Sequence, residues 1–459
     1  MSAPAVSTPA QAEPVELLAL PPMRAVLRLA VPTTFVMVLA TATNVLYTYF
    51  VSRLGSEAIA AVSLVFPISL LVGTAMTGGL GGGVASAIAR ALGAGRPGYA
   101  VEIAEHAIGL AVTVGVAFGL VMILGGTFVF RLMSGPRVDP AVLDAAAGFG
   151  RILFGGAAIT FTGGMFDSML RGEGNVRVPS TWSSVSLTLQ MMLTPLCMFT
   201  LGMGLPGAAV ALLASQGLAT IPRAYYVFGG RGVIHPAPVP HRIRRAPLRE
   251  ILQVGVPASL STIVNYLGLM ILTTVVARLG TAHLAAWGLC TRFDFLLMSF
   301  AYGFAVAVLT LVGLATGARR PDRARVYVLR AGVCIVALLS IPAVVLWWNP
   351  SLWISVFSAD PEIQEVGAAY FRLVGPSYPF VAVSMVLAFA FQGLGHATIP
   401  LCWMIVRVVG VLAASIICTQ WLGLGERAVF AAVAVGNVTS SIVMVTLFRM
   451  TERRVAAAM

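Results

Sequence analysis

Residues 178–222 contain no Asp, Glu, Lys or Arg, and neither do residues 58–89. A helix in water needs a polar face, and uncharged stretches this long cannot supply one. About 20 apolar residues suffice to cross a bilayer core roughly 30 Å thick. Across all 459 residues the chain is 58% hydrophobic and 10% charged, with mean hydropathy +0.93. Soluble chains are about one quarter charged. The sequence therefore reads as an all-α polytopic membrane protein.

Hydropathy and turn signals divide the chain into about 12 transmembrane helices. They fall near 27–51, 58–90, 104–130, 142–170, 178–201, 205–228, 251–277, 284–316, 326–348, 368–393, 399–422 and 428–449. The least distinct boundary is the Gly202–Gly207 turn inside the uncharged run. Residues 1–24 are expected to be a disordered Ala/Pro/Glu-rich tail without a cleavable signal, and 451–459 a C-terminal tail. All 29 basic residues are Arg, within a net charge of +12. With the N-terminus inside, the inner segments hold eighteen arginines, including Arg223 and Arg242, against five outside: Arg53, Arg131, Arg137, Arg278 and Arg427. This positive-inside bias predicts both termini in the cytoplasm of a multi-pass cell (inner) membrane protein. It also accounts for the charge without nucleic acid. The five Cys are scattered through apolar stretches and show neither disulfide nor metal spacing.

A repeat is visible within the chain. Leu29-Ala-Val-Pro32 recurs as Val254-Gly-Val-Pro257, an offset of 225. Val51-Ser-Arg-Leu-Gly55 matches Val276-Ala-Arg-Leu-Gly280 at the same offset, and Ala60-Ala61 matches Ala285-Ala286. One residue slipped, Gly93-Ala-Gly-Arg-Pro97 pairs with Gly317-Ala-Arg-Arg-Pro321. Further on, Arg171-Gly-Glu-Gly-Asn175 pairs with Gln392-Gly-Leu-Gly-His396. Six helices per half return the chain to its starting side, so the halves are parallel repeats, a transporter arrangement with a midplane site. The expected division is an N-lobe at 25–229, a cytoplasmic linker at 230–249 and a C-lobe at 250–450.

These phrases, with Phe50-Val-Ser-Arg-Leu-Gly55 and Gly204-Leu-Pro-Gly-Ala-Ala209, resemble the multidrug and toxic compound extrusion (MATE) transporters over residues 27–449. The resemblance implies a V-shaped pair of six-helix lobes. It also implies alternating-access export of small amphipathic, cationic organic compounds in exchange for H⁺ or Na⁺, by a monomer needing no cofactor and acting as no enzyme. A flippase for lipid-linked or other amphipathic substrates is the alternative within the same superfamily. The family's acidic positions are neutral here. Asn44 keeps its place in the helix-one phrase, but Tyr47 replaces an Asp. Gln190 and Thr194 stand in the helix-five pattern, and Asn265 stands for a Glu on helix seven.

Ion coupling is therefore expected at other acids, because an ionisable residue within a span is costly to keep there. Asp294, about ten residues into helix eight, is the leading candidate, with Arg292 tuning it or contacting substrate. Arg407 on helix eleven is a candidate partner for Asp294. Asp167 is the second acid; it either couples or simply pairs with Arg171 at i,i+4. Asn44, Tyr47, Gln190, Thr194, Asn265 and Arg292 are the expected polar cavity residues, and Phe66, Tyr266, Phe293 and Tyr378 the aromatic ones. The glycines at 78–83 lack the Lys-Ser/Thr of a phosphate loop and read as a close-packing surface. Glu102 and His106 have metal spacing but no third ligand, so no metal is expected.

Overall fold

The structure is a computed structural model and describes residues 13–134, 139–238 and 244–458, in which the regular elements are helices. The expected positions Arg137, Arg242 and residues 1–12 lie outside the described residues. In order come α1 (Glu13–Ala19), α2 (Pro22–Ser52), α3 (Ser56–Gly93), α4 (Pro97–Ser134), α5 (Pro140–Gly155) and α6 (Ala157–Gly172). There follow α7 (Arg177–Pro195), α8 (Gly204–Phe228), α9 (Arg245–Ala277), α10 (Thr281–Gly317), α11 (Pro321–Trp348) and the short α12 (Ser351–Ile354). The chain ends with α13 (Pro361–Leu394), α14 (Thr398–Trp421) and α15 (Glu426–Ala458).

Ten of these helices are long and apolar enough to cross a membrane, namely α2, α3, α4, α8, α9, α10, α11, α13, α14 and α15. An eleventh is counted if α5 and α6 form one span, bent by 44° where Gly155 and Gly156 adjoin. The sequence points to about twelve. The remaining segment, residues 178–201, is also helical, and its lower apolarity comes from Ser180, Thr181, Ser183, Ser184, Ser186, Thr188 and Gln190 of α7.

The chain divides into two compact units. Among the described residues the first comprises 13–19 together with Phe35–Ser259, and the second Leu20–Thr34 with the residues from Leu260. The expected boundaries differ at two stretches. The start of α2, through Pro32, groups with the second half, and the start of α9, through Pro257, groups with the first. The two breaks, after Thr34 and after Ser259, are separated by 259 − 34 = 225, the offset of the sequence repeat.

Glycines permit both arrangements. In the first unit a Cβ on Gly79 would lie 2.6 Å from Ser259 Cα, and one on Gly83 would lie 2.5 Å from the Ile251 carbonyl. In the second, a Cβ on Gly303 would lie 2.9 Å from Thr34 N. Backbones this close need small residues. Gly79–Ser259 and Gly303–Thr34 are repeats of one contact. Left-handed backbone recurs likewise: Gly55 and Gly280 (φ 103° and 141°), Gly174 and Gly395 (89° and 86°), Gly202 and Gly423 (64° and 65°). Gly95 (70°) is matched by Arg319 (54°).

Both expected tails are partly structured. Residues 13–19 are helical and 22–24 already belong to α2, with Leu17 buried against Gly174. At the other end α15 runs on to Ala458, since Ala and Arg favour helix. The expected linker 230–249 includes the start of α9. Its loop is pinned to the first unit: Val233 and Ile234 N–H donate to Glu173, Ala237 N–H to Glu105, and Arg244 N–H to His106 Nε2.

Candidate functional site

The second unit contains an open cavity of about 220 Å³ whose lining includes Asn265, Trp287, Asp294, Tyr370, Tyr378 and Arg407. Asp294 stands about 20 Å past the start of α10 at 1.5 Å rise per residue and is half-buried. Tyr370 donates to its Oδ2 at 2.5 Å and Tyr378 to its Oδ1 at 2.7 Å. Both tyrosines are almost wholly buried.

Those two tyrosines flank a break in α13. Gly375-Pro376-Ser377 forms a 3₁₀ turn between Pro361–Val374 and Tyr378–Leu394. Pro376 and Pro379 each lack an N–H, so a regular helix cannot run through. Ser377 in this turn donates to the Val374 carbonyl at 2.6 Å and accepts from Asn437 Nδ2 at 2.9 Å. Asn437 Oδ1 in turn accepts from Arg407 Nη2 at 2.5 Å. On the aromatic side, Trp287 donates to Thr273 Oγ1 and stacks on Phe430 at 6.2 Å.

This arrangement responds chemically to a proton. An ionised carboxylate only accepts, so each Asp294 oxygen can take one phenol. Once protonated, the acid has a hydrogen of its own to donate. Both oxygens keep a lone pair for a phenol, and the new O–H seeks an acceptor of its own. The two phenols that reach Asp294 come from opposite sides of the α13 turn.

The sequence pairing of Arg407 with Asp294 is not what the structure shows: Arg407 bonds Asn437, and Asp294 bonds the two tyrosines. Arg292, two residues from Asp294, points elsewhere. It is exposed and lines a separate hollow with Phe357 and Ser358, as positions 200° apart on a helix must. Asn265 and Tyr378 do line the Asp294 cavity. Phe293 does not. It is buried among Trp353, Phe371 and Tyr378, because it lies on the face of α10 turned toward the core. Tyr266 is half-buried and outside this lining.

The other candidates belong to the first unit. Asn44 and Phe66 are exposed, and Tyr47 packs against an apolar cluster around Val65 and Phe130. Gln190 and Thr194 are buried, with the Thr194 hydroxyl bonded to the Gln190 carbonyl at 2.7 Å. Asp167 is buried on α6 and pairs with Arg223 of α8, Oδ1 to Nε at 2.9 Å. That contact is close but poorly aligned for a hydrogen bond, and neither atom has another bonded partner. Ser183 of α7 donates to Asp167 Oδ2 at 3.3 Å and accepts from Arg223 Nη2 at 2.8 Å. Arg223, assigned from sequence to an inner loop, is 2% exposed inside the first unit.

Sequence reasoning missed Tyr370, Ser377, Asn437 and Arg223. The Gly-Pro-Ser-Tyr-Pro run was a visible signal for the first two, since a helix breaking beside an acid frees side chains to meet it. No group of three or more potential metal ligands occurs among the described residues. His106 Nδ1 instead bonds the Glu102 carbonyl at 2.7 Å.

Comparison with known proteins fits this architecture. The MatE family profile matches residues 32–196 and again 257–415, with starts 225 apart. An FAD transporter of Shewanella oneidensis is 23% identical over 82% of this chain and 83% of its own. A probable multidrug resistance protein NorM of Thermotoga maritima is 24% identical over 70% of this chain and 69% of its own. Among solved structures, a MOP superfamily transporter from Pyrococcus furiosus, described as having a binding pocket of reverse polarity, aligns with a TM-score of 0.90. It is 26% identical over 98% of this chain and 99% of its own. With the family profile covering most of both halves, this chain is a polytopic membrane protein belonging to the MATE family of transporters.

Proposed function

We propose that the protein is a secondary-active multidrug exporter of the cell (inner) membrane, alternating between inward- and outward-facing states and driven by H⁺ entering through Asp294. The supporting observation is the Asp294–Tyr370–Tyr378 cluster beside a cavity in a membrane-spanning helix. Asp294 is the sole acid in that lining. A Na⁺ site would want several oxygen ligands pointing inward with compensating negative charge, whereas here both phenols direct hydrogens at the carboxylate. The cluster suits a proton better. A relative described as a probable multidrug resistance protein NorM supports the efflux reading.

Coupling follows from competition. A substrate cation and a proton both neutralise Asp294, so each displaces the other. A gradient drives exchange only if the two states differ in affinity. In this reading the α13 break carries that difference. Asp167, already paired with Arg223, is assigned a bracing role. Both termini are placed in the cytoplasm by the arginine bias, and the protein acts as a monomer.

The test is dye export from proteoliposomes under an imposed pH gradient, compared with an imposed Na⁺ gradient. Wild type should respond to the pH gradient alone. Asp294→Asn should insert normally and lose at least about tenfold of the gradient-driven rate. Full transport by this variant would remove Asp294 from the mechanism.

A further inference from the structure

We propose that the cavity of the second unit selects zwitterionic amphiphiles, with Arg407 binding the substrate's carboxylate or phosphate while Asp294 and the aromatic wall receive its cationic group. This rests on the reading of that cavity as the substrate site.

Arg407 is a cation without a counter-ion among the described residues. Arg407 lies on α14 and contributes to the cavity lining. Among the described residues, no carboxylate stands within 4 Å of its guanidinium. Its bonds go to the neutral Asn437 carbonyl oxygen and, at 3.9 Å, to Met404 Sδ. Its buried Nε has no partner. A guanidinium offers five N–H donors and does not discharge in proteins. Keeping such a charge within a span without compensation is costly. Arg223 in the first unit shows the alternative, since it has Asp167 beside it.

Asp294 does not fill this role. Both its oxygens are held by phenols, and it loses its charge whenever it carries a proton. Arg407 would then face the cavity as an isolated cation. The Asn437 and Ser377 hydrogen bonds fix one edge of the guanidinium and leave the rest of the fork available. Planar two-pronged donation to carboxylate or phosphate is what that group does best.

The same lining also has the complementary character. Trp287, Tyr370 and Tyr378 line the cavity with Asp294, and aromatic rings attract organic cations. A ligand with a cationic group, an apolar body and an anionic group satisfies both ends. Its cation competes with the proton at Asp294, which preserves exchange. Its anion adds affinity at Arg407. A purely anionic ligand would lack that competition and would bind best beside protonated Asp294, so it would travel with the proton instead of against it.

The test uses naphthalene probes that differ only in charge: naphthylalanine betaine, its methyl ester (cation alone) and N-acetylnaphthylalanine (anion alone). Binding to detergent-purified full-length protein is measured by calorimetry without any gradient. The betaine should bind about tenfold more tightly than the ester, as expected for one charge-assisted bidentate contact. Arg407→Gln should abolish that preference by weakening betaine binding and, with the repelling charge gone, tightening ester binding, and Arg407→Lys should recover part of the preference.

Equal binding of betaine and ester by wild type overturns the proposal, whatever the variants do. So does a preference that survives in Arg407→Gln, or the absence of binding by any probe. Since no gradient is applied, the outcome is separable from coupling. If Asp294→Asn retains gradient-driven export while the betaine preference holds, the coupling reading fails and the charge-selective site stands.

Discussion

The two halves share a backbone but not a chemistry, and their acids show how far apart repeated frames can drift. Asp167 corresponds to Ala388 at the offset of 221, and Asp294 to Ser69 at the offset of 225. Neither acid is an inheritance of the repeat. In the first unit a carboxylate and a guanidinium are buried together and bridged by Ser183. In the second a carboxylate is held by two neutral phenols beside a cavity. A charge tied to a fixed opposite charge has little freedom to change state. One held by hydroxyls that can either donate or accept can exchange a proton without leaving a bare ion behind. Frame conservation thus fixes the helices, and local partners decide which acid is available.

The largest expected effect breaks the first unit's pair. Asp167→Ala leaves Arg223 charged and buried, at a cost of about 3–5 kcal/mol, seen as a large fall in the thermal midpoint of purified protein. Replacing both residues, Asp167→Leu with Arg223→Met, should recover most of that loss, because the stranded charge goes too. Asp294→Asn should cost far less, since an amide can still accept from one tyrosine and donate to the other. Comparable losses from Asp167→Ala and Asp294→Asn would mean that both acids are braces, and the contrast between units would dissolve.

The next effect probes what the halves share. Alanine at Gly79 or at Gly303 puts a methyl group against backbone, Ser259 in one case and Thr34 in the other. Overpacking of this kind costs about 1–3 kcal/mol. Melting curves of the two variants should shift by similar amounts, as repeated contacts would. A large shift in one and none in the other would show that only one half relies on close approach of the exchanged helix start. Smaller again is Tyr378→Phe, which removes one hydrogen bond to Asp294 and should cost about 1–2 kcal/mol. The same change at Tyr370 sharpens the site comparison: export should slow in both variants, and an indifferent Tyr370→Phe would leave Tyr378 as the working partner.

Much of the frame was legible because it is written locally. Pro32 and Pro257, with the glycines that follow each helix, recur at a constant offset, and the structure puts its unit breaks two residues after each proline. Asp294 was legible as a misplaced charge. Its partners were not, because Tyr370 and Tyr378 lie far along the chain, and only the fold brings them to α10. Arg223 was misread for a physical reason. Arginine near a helix end is usually topological, and burial beside Asp167 depends on how α6 and α8 pack. Arg407 stands out in the sequence as a charge within a span, but its partner is an amide and not an acid. The segment at 178–201 has weaker apolar character than the others because absence of charge is not the same as apolarity, as the hydroxyl-rich α7 shows.

The smallest effect tests the repeat at one residue. Gly95 and Arg319 occupy equivalent turns, each with left-handed backbone, φ 70° and 54°. Arg319 is the one non-glycine in that conformation among the described residues. A Cβ there crowds the following carbonyl at about 1–2 kcal/mol, while glycine costs about 0.5–1 kcal/mol in lost chain freedom. Arg319→Gly should therefore raise stability by up to about 1 kcal/mol, and Gly95→Arg should lower it by a similar amount. Opposite shifts in the melting midpoints would establish that the second half carries a strain the first avoids. Shifts of the same sign would mean that the arginine side chain makes contacts of its own at that turn, enough to outweigh its backbone.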